Sequence, residues 1–197
     1  MGAIFVCGQV GWFFVMERFL HFRKRQGKSE LFWKTVKGKE AHLIAATVEK
    51  KSTENLADKN LLTGSFGKVV SAVAKARKGG RPAMLASARE VLAEEIPDLN
   101  KHLNTVAVLA GAAPLLGLAG TVAGIMQTFH AMTLYGAGNP SMMAGGIAKA
   151  LMVTEAGLVV AFPLLICHDY LQNRADHIED ECVEGATRLI HAFEGER

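Results

Sequence analysis

The chain of 197 residues lacks most of what a small enzyme needs. Its three cysteines, Cys7, Cys167 and Cys182, form no Cys-x-x-Cys pair, and neither they nor the seven scattered histidines show zinc-ligand spacing. Free thiols are expected, as in a chain whose soluble part faces a reducing compartment. No nucleophile stands beside a base and no cluster of ligands offers a metal site, so no catalytic residue, metal or cofactor is expected. The net charge is only +3, without the clustered basic face that a nucleic-acid binder carries. Basic residues are also missing ahead of the first apolar run. They follow it, at Arg18, Arg23, Lys24, Arg25 and Lys28, the reverse of a cleavable secretory signal.

The largest absence is charge itself. From His102 to Ala148 there are 47 consecutive residues without Asp, Glu, Lys or Arg. A helix needs about 20 mostly apolar residues to cross a bilayer, and the run is broken once, at Tyr135-Gly136-Ala137-Gly138-Asn139-Pro140-Ser141, a turn by composition. This predicts a helical hairpin in the membrane. The expected class is all-α: an integral membrane protein with three transmembrane helices and long helices extending into the cytoplasm. Its divisions are a first transmembrane helix over 1–22, a cytoplasmic helical region over 23–100, a second span over 101–134, a periplasmic loop over 135–143, a third span over 144–168 and a cytoplasmic C-terminal helix over 169–197. Lys and Arg favour the cytoplasmic side, which places the N-terminus in the periplasm.

Within the polar region the pattern predicts helices from Ser29 to Lys37, Lys39 to Lys51 and Leu61 to Ala76, then one from Pro82 that runs toward the membrane with a kink at Pro97. Gly64-Ser65-Phe66-Gly67-Lys68-Val69 imitates a kinase phosphate loop, but Leu62 stands where the first glycine belongs and no His-Arg-Asp or Asp-Phe-Gly follows. After Cys167 an amphipathic helix is expected, with Ile178, Cys182, Gly185, Leu189 and Ile190 near one side and many acids on the other. Those acids are either a solvated face or a partner for the basic stretch Arg23 to Lys39.

The small and polar residues of the hairpin fall in stripes. Gly117, Thr121, Gly124 and Thr128 share one face of the second span, and Gly146, Ala150, Thr154, Gly157 and Ala161 share one face of the third. Such stripes let helix backbones approach closely in lipid, and packing alone would account for the glycines. Glu155 is different, because an ionisable group near the middle of a span costs about 2.5–3.5 kcal/mol and usually faces a bundle interior or a watery cavity. It lies either on an ion pathway or in a hydrogen bond to a neighbouring helix. Lys149, nearer the outer end, has the stem length to snorkel. Six positions separate the two, so they form no intrahelical ion pair.

Ala113-Pro114-Leu115-Leu116-Gly117-Leu118-Ala119-Gly120-Thr121-Val122, followed by Thr128-Phe129, resembles the second-span signature of the ExbB/TolQ/MotA proton-channel family. Gly146-Ile147-Ala148-Lys149-Ala150-Leu151 through Thr154, Gly157, Ala161 and Pro163 resembles its third span, and the layout matches the ExbB and TolQ branch over nearly the whole chain. The resemblance implies a multi-pass protein of the bacterial inner membrane that assembles as a ring, typically a pentamer, around a single-span partner of the ExbD/TolR type. It implies that protons drive motion, passed on through a TonB-like protein to outer-membrane transport, with a TolQ-like role in envelope integrity or a non-conducting scaffold as the alternatives. By motif position Thr121 and Thr154 match the family threonines that line the proton path, while Pro114, Gly117, Gly120, Gly124, Gly146, Ala150, Gly157 and Ala161 fall at packing and partner-facing positions. The chain departs from the pattern at Lys149, where many members carry glutamate, and Glu155 is the candidate substitute on the path. The transported ion implied is the proton.

Overall fold

The computed structural model describes residues 2–25, 64–136 and 140–194. Every regular element among them is helical: α1 (Gly2–Arg25), α2 (Gly64–Lys75), a 3-10 turn (Ala76–Gly79), α3 (Gly80–Asn100), α4 (Leu103–Tyr135) and α5 (Pro140–Glu194). Three stretches, within Gly2–Phe22, Gly64–Leu134 and Pro140–Glu194, are long and apolar enough to cross a membrane. The architecture is that of an all-α membrane protein with three apolar helices. The helices expected at 29–37 and 39–51 lie outside the described residues, as does most of the basic stretch 23–39.

Two compact units divide the chain, residues 1–19 with 102–172 and residues 20–101 with 173–197. The first is packed inside out by the standards of a protein in water. Small side chains take a large share of its interior, with Ala110 and Ala113 fully buried and Ala150 and Ala161 at 3% exposure beside Leu103, Val106 and Leu164, while Leu115 (67%), Phe162 (68%) and Phe13 (67%) point outward. Water would drive those large side chains inward at about 1.5–3 kcal/mol each. Lipid exerts no such force, and close backbone approach through small residues is what holds helices together there. α1 joins the same way: Gly8 faces Val160 and Gly11 faces Leu164.

The second unit follows the opposite rule. Phe66, Val69, Val70, Val73, Leu99, Cys182, Leu189 and Phe193 are all buried at 4% exposure or less, and α2 presents the first four of them at helical spacing. Arg77 lies over the Phe193 ring at 5.0 Å, and Arg81 bridges to Glu194 at 3.0 Å. Gly64 to Val69 forms the opening turns of α2, with Ser65, Phe66 and Gly67 buried, so no phosphate loop exists there.

Two expectations about helix ends are corrected. Helix α3 runs through Pro97 to Asn100, and the chain breaks at Lys101–His102, where His102 has φ 64°. The break holds because Asn100 Nδ2 caps the Ile96 carbonyl at 3.2 Å and the His102 carbonyl accepts the Val106 N–H at 3.1 Å to begin α4. His102 itself is fixed against the Phe14 ring at 4.8 Å and faces Glu17 at 3.4 Å. α5 begins at Pro140, ahead of the expected Ala144, since proline at a first helical position loses no hydrogen bond. It then continues to Glu194 as one helix. Gly136 closes α4 at φ 80°, a conformation glycine adopts without strain.

Candidate functional site

The hairpin of α4 and α5 is an antiparallel seam of glycines. A methyl group at Gly157 would come 2.7 Å from the Ala113 carbonyl oxygen, and one at Gly117 would come 3.0 Å from the Thr154 Cα. Further along, Gly124 meets Ala150 and Gly146 meets Thr128, while Gly120 faces the Val153 side chain. Ala161 is buried, and Pro114 is half-buried within α4. Of the stripe residues, Gly117, Gly124, Gly146, Ala150 and Gly157 thus meet directly across the seam.

Thr121 lies between the Gly117–Thr154 and Gly124–Ala150 contacts and is 7% exposed. Its Oγ1 donates to the Leu118 carbonyl at 2.7 Å, as Thr128 Oγ1 donates to Gly124 at 2.9 Å. Thr154 is not bonded back in this way. Its Oγ1 is buried without a hydrogen-bond partner among the described residues, an arrangement that costs about 1–3 kcal/mol and calls for a reason. The seam therefore holds both Thr121 and Thr154 along its length and leaves Glu155 apart. Glu155 follows Thr154 by one residue, about 100° around the helix, and is exposed among Leu151, Leu158 and Phe162.

Sequence reasoning missed a buried carboxylate in the second unit. Glu95 is 3% exposed; its Oε2 accepts from Ser65 Oγ at 2.6 Å and its Oε1 pairs with Lys68 Nζ at 2.5 Å. The available signal was Ser65 and Lys68 three apart on one face of α2. Near it is Cys182, whose thiol is pushed up to about 12 from 9.0 by burial, and then by the charges of Glu181, Glu95 and Glu179. At pH 8 such a thiol holds about a thousandfold less thiolate than an ordinary one, so Cys182 should resist iodoacetamide in the folded protein and react on unfolding. Because the folded state keeps this proton while the unfolded state loses it, stability should fall as pH rises from 9.0 toward about 12. Thermal unfolding of the wild type against Cys182→Ala over that range checks it: the variant should lack this part of the slope.

The model of the MotA/TolQ/ExbB proton channel family matches residues 56–184. Similar proteins include the biopolymer transport protein ExbB of Aquifex aeolicus, 40% identical over 96 residues that make up 48% of this chain and 65% of that one. The ExbB of Helicobacter pylori is 37% identical over 84 residues, 43% of this chain and 58% of its own. The Tol-Pal system protein TolQ of Haemophilus influenzae is 34% identical over 100 residues, 49% and 44% respectively. The chain thus spans about half the length of these relatives. The match begins at residue 56, so the likeness covers less than the whole-chain extent expected from the motifs, and α1 lies outside it.

Proposed function

This chain belongs to the MotA/TolQ/ExbB proton channel family, and from that premise we propose that it is an ExbB-like subunit of a proton-driven motor in the bacterial inner membrane. In this reading it forms a ring, of five copies by the family resemblance, around a single-span partner of the ExbD/TolR type. The motion is passed through a TonB-like protein to transport across the outer membrane. The family is one of channels and transport motors rather than enzymes. The N-terminus lies in the periplasm, because the Lys- and Arg-rich segment after α1 belongs on the cytoplasmic side.

The observation that carries the reading is the Thr154 hydroxyl, buried in the glycine seam with neither a donor nor an acceptor beside it among the described residues. It lies on the same seam as Thr121, in a hairpin with no charge on α4 and only Lys149 and Glu155 on the first part of α5. A proton carrier that reaches the seam finds two hydroxyls there, and Glu155 on the adjoining face is the ionisable group that could take the proton from them. Each charge crossing 100 mV releases about 2.3 kcal/mol, enough for repeated crossings to bias a conformational change.

A TolQ-like role is the second reading, favoured by the TolQ relative matching over as much of the chain as the ExbB relatives do. Identification of the co-purifying single-span protein separates the two. Proton flux into vesicles containing the assembled complex tests the path: Thr154→Val should lower it about tenfold, the worth of one hydrogen-bonding group in the transition state, with assembly intact. Unchanged flux in that variant would remove Thr154 from the path, and absence of flux in the wild-type complex would leave a non-conducting scaffold as the better account.

A further inference from the structure

The hairpin also carries a cleft of about 890 Å³ whose lining includes none of Thr121, Thr154 and Glu155. Gly120 and Gln127 of α4 line one wall and Lys149 lines the other, with Met132, Met142 and Met143 toward the helix ends. Lys149 stands five residues before Thr154, about 140° around α5, and Gln127 is about 120° from Thr121 around α4, so these two polar side chains are turned away from Thr121 and Thr154, although Gly124, Thr128, Gly146 and Ala150 of the seam also line the cleft. Lys149 is nine residues into α5, about 14 Å along it. Its side chain is exposed and has no ion-pair partner among the described residues. Within 103–168 the only carboxylate is Glu155, about 9 Å deeper and on another face of the same helix.

An ammonium at that depth is stable only if its stem carries it to water or to an anion. Apart from Thr128, whose hydroxyl is spent on the Gly124 carbonyl, the rest of the lining is apolar, and methionine side chains adapt their shape to flexible chains. A free inorganic anion would find one cation in a greasy cleft, whereas an amphiphile satisfies both parts. We infer that the cleft binds one anionic phospholipid, its phosphate at Lys149 and the Gln127 amide and an acyl chain between α4 and α5. The site needs only that the hairpin lies in lipid, and it stands or falls independently of proton conduction.

The test is native mass spectrometry of the full chain in mild detergent, with phosphatidylglycerol and phosphatidylcholine added in equal amounts. The wild type should retain phosphatidylglycerol about fivefold better, the factor one lysine contributes at an anionic surface. Lys149→Gln should erase the preference, and Ala123→Phe, which fills the cleft and keeps the charge, should erase retention of both lipids. Equal retention of the two lipids by the wild type overturns the assignment, as does a preserved preference in either variant. A photo-crosslinking residue at position 149 gives an independent readout. Labelling of lipid supports the site, and labelling of protein alone, whether a second copy or another segment, overturns it.

Discussion

Gly157→Val is expected to dismantle the hairpin. The first added carbon would sit 2.7 Å from the Ala113 carbonyl oxygen and 3.3 Å from the Gly117 Cα, and both are backbone atoms that no side-chain rotation can move. Overpacking a core that can adjust costs about 1–3 kcal/mol; here the helices themselves must separate, which also forfeits the Gly117–Thr154 contact. A loss of more than about 3 kcal/mol follows, and if the chain works as proposed, assembly and proton flux should fall to background together. Gly145→Ala is the control, because nothing lies within 4 Å of an added methyl there and alanine is the better helix former by up to about 1 kcal/mol. The two variants should shift the unfolding temperature in detergent in opposite directions. Equal, small shifts would mean that the seam does not hold the helices together.

The second large effect is expected at the buried carboxylate, and its sign depends on which partner is removed. Lys68→Met deprives Glu95 Oε1 of its ammonium while the Glu95 side chain stays 4% exposed, so a charge remains with less to compensate it. A hydrogen bond to a charged group is worth about 1.5–3 kcal/mol, and the variant should lose about 2–3 kcal/mol. The double change Glu95→Leu with Ser65→Ala removes the charge, the need for a partner and the buried hydroxyl that donates to it. Lys68 is 56% exposed and keeps its hydration, so the cost should be under about 1 kcal/mol, as when other buried ion pairs are replaced by apolar groups. Thermal unfolding of the two variants gives the comparison, and an equal loss in both would show that the pair, rather than the stranded carboxylate, carries the energy.

What could be read in advance divides along physical lines. An uncharged run of 47 residues is a statement about solvent, so the hairpin followed from it directly, and glycines at three- and four-residue spacing indicated the face on which α4 and α5 meet. The same logic placed Ile178, Cys182, Leu189 and Ile190 on one side of the C-terminal helix, and all four are buried. Features set by a single backbone residue were not legible. The break at His102 depends on one left-handed conformation held by Phe14 and Glu17, residues more than eighty positions away, whereas Pro97, the obvious breaker, stays within α3. Glu95 was hidden for the opposite reason. It sits among Glu90, Glu94 and Asp98, where a charged residue ordinarily means a wet face, and only α2 packing across it reveals otherwise. The threonines and Glu155 looked equivalent as polar atoms in lipid, yet one residue of helical rotation puts the hydroxyls inside the seam and the carboxylate outside it.

The unequal bonding of the two hydroxyls gives any solvent on that seam a direction. Thr121 has spent its hydrogen on Leu118, so a water molecule touching it can approach only O–H first, whereas Thr154 has both its hydrogen and its lone pairs unspent.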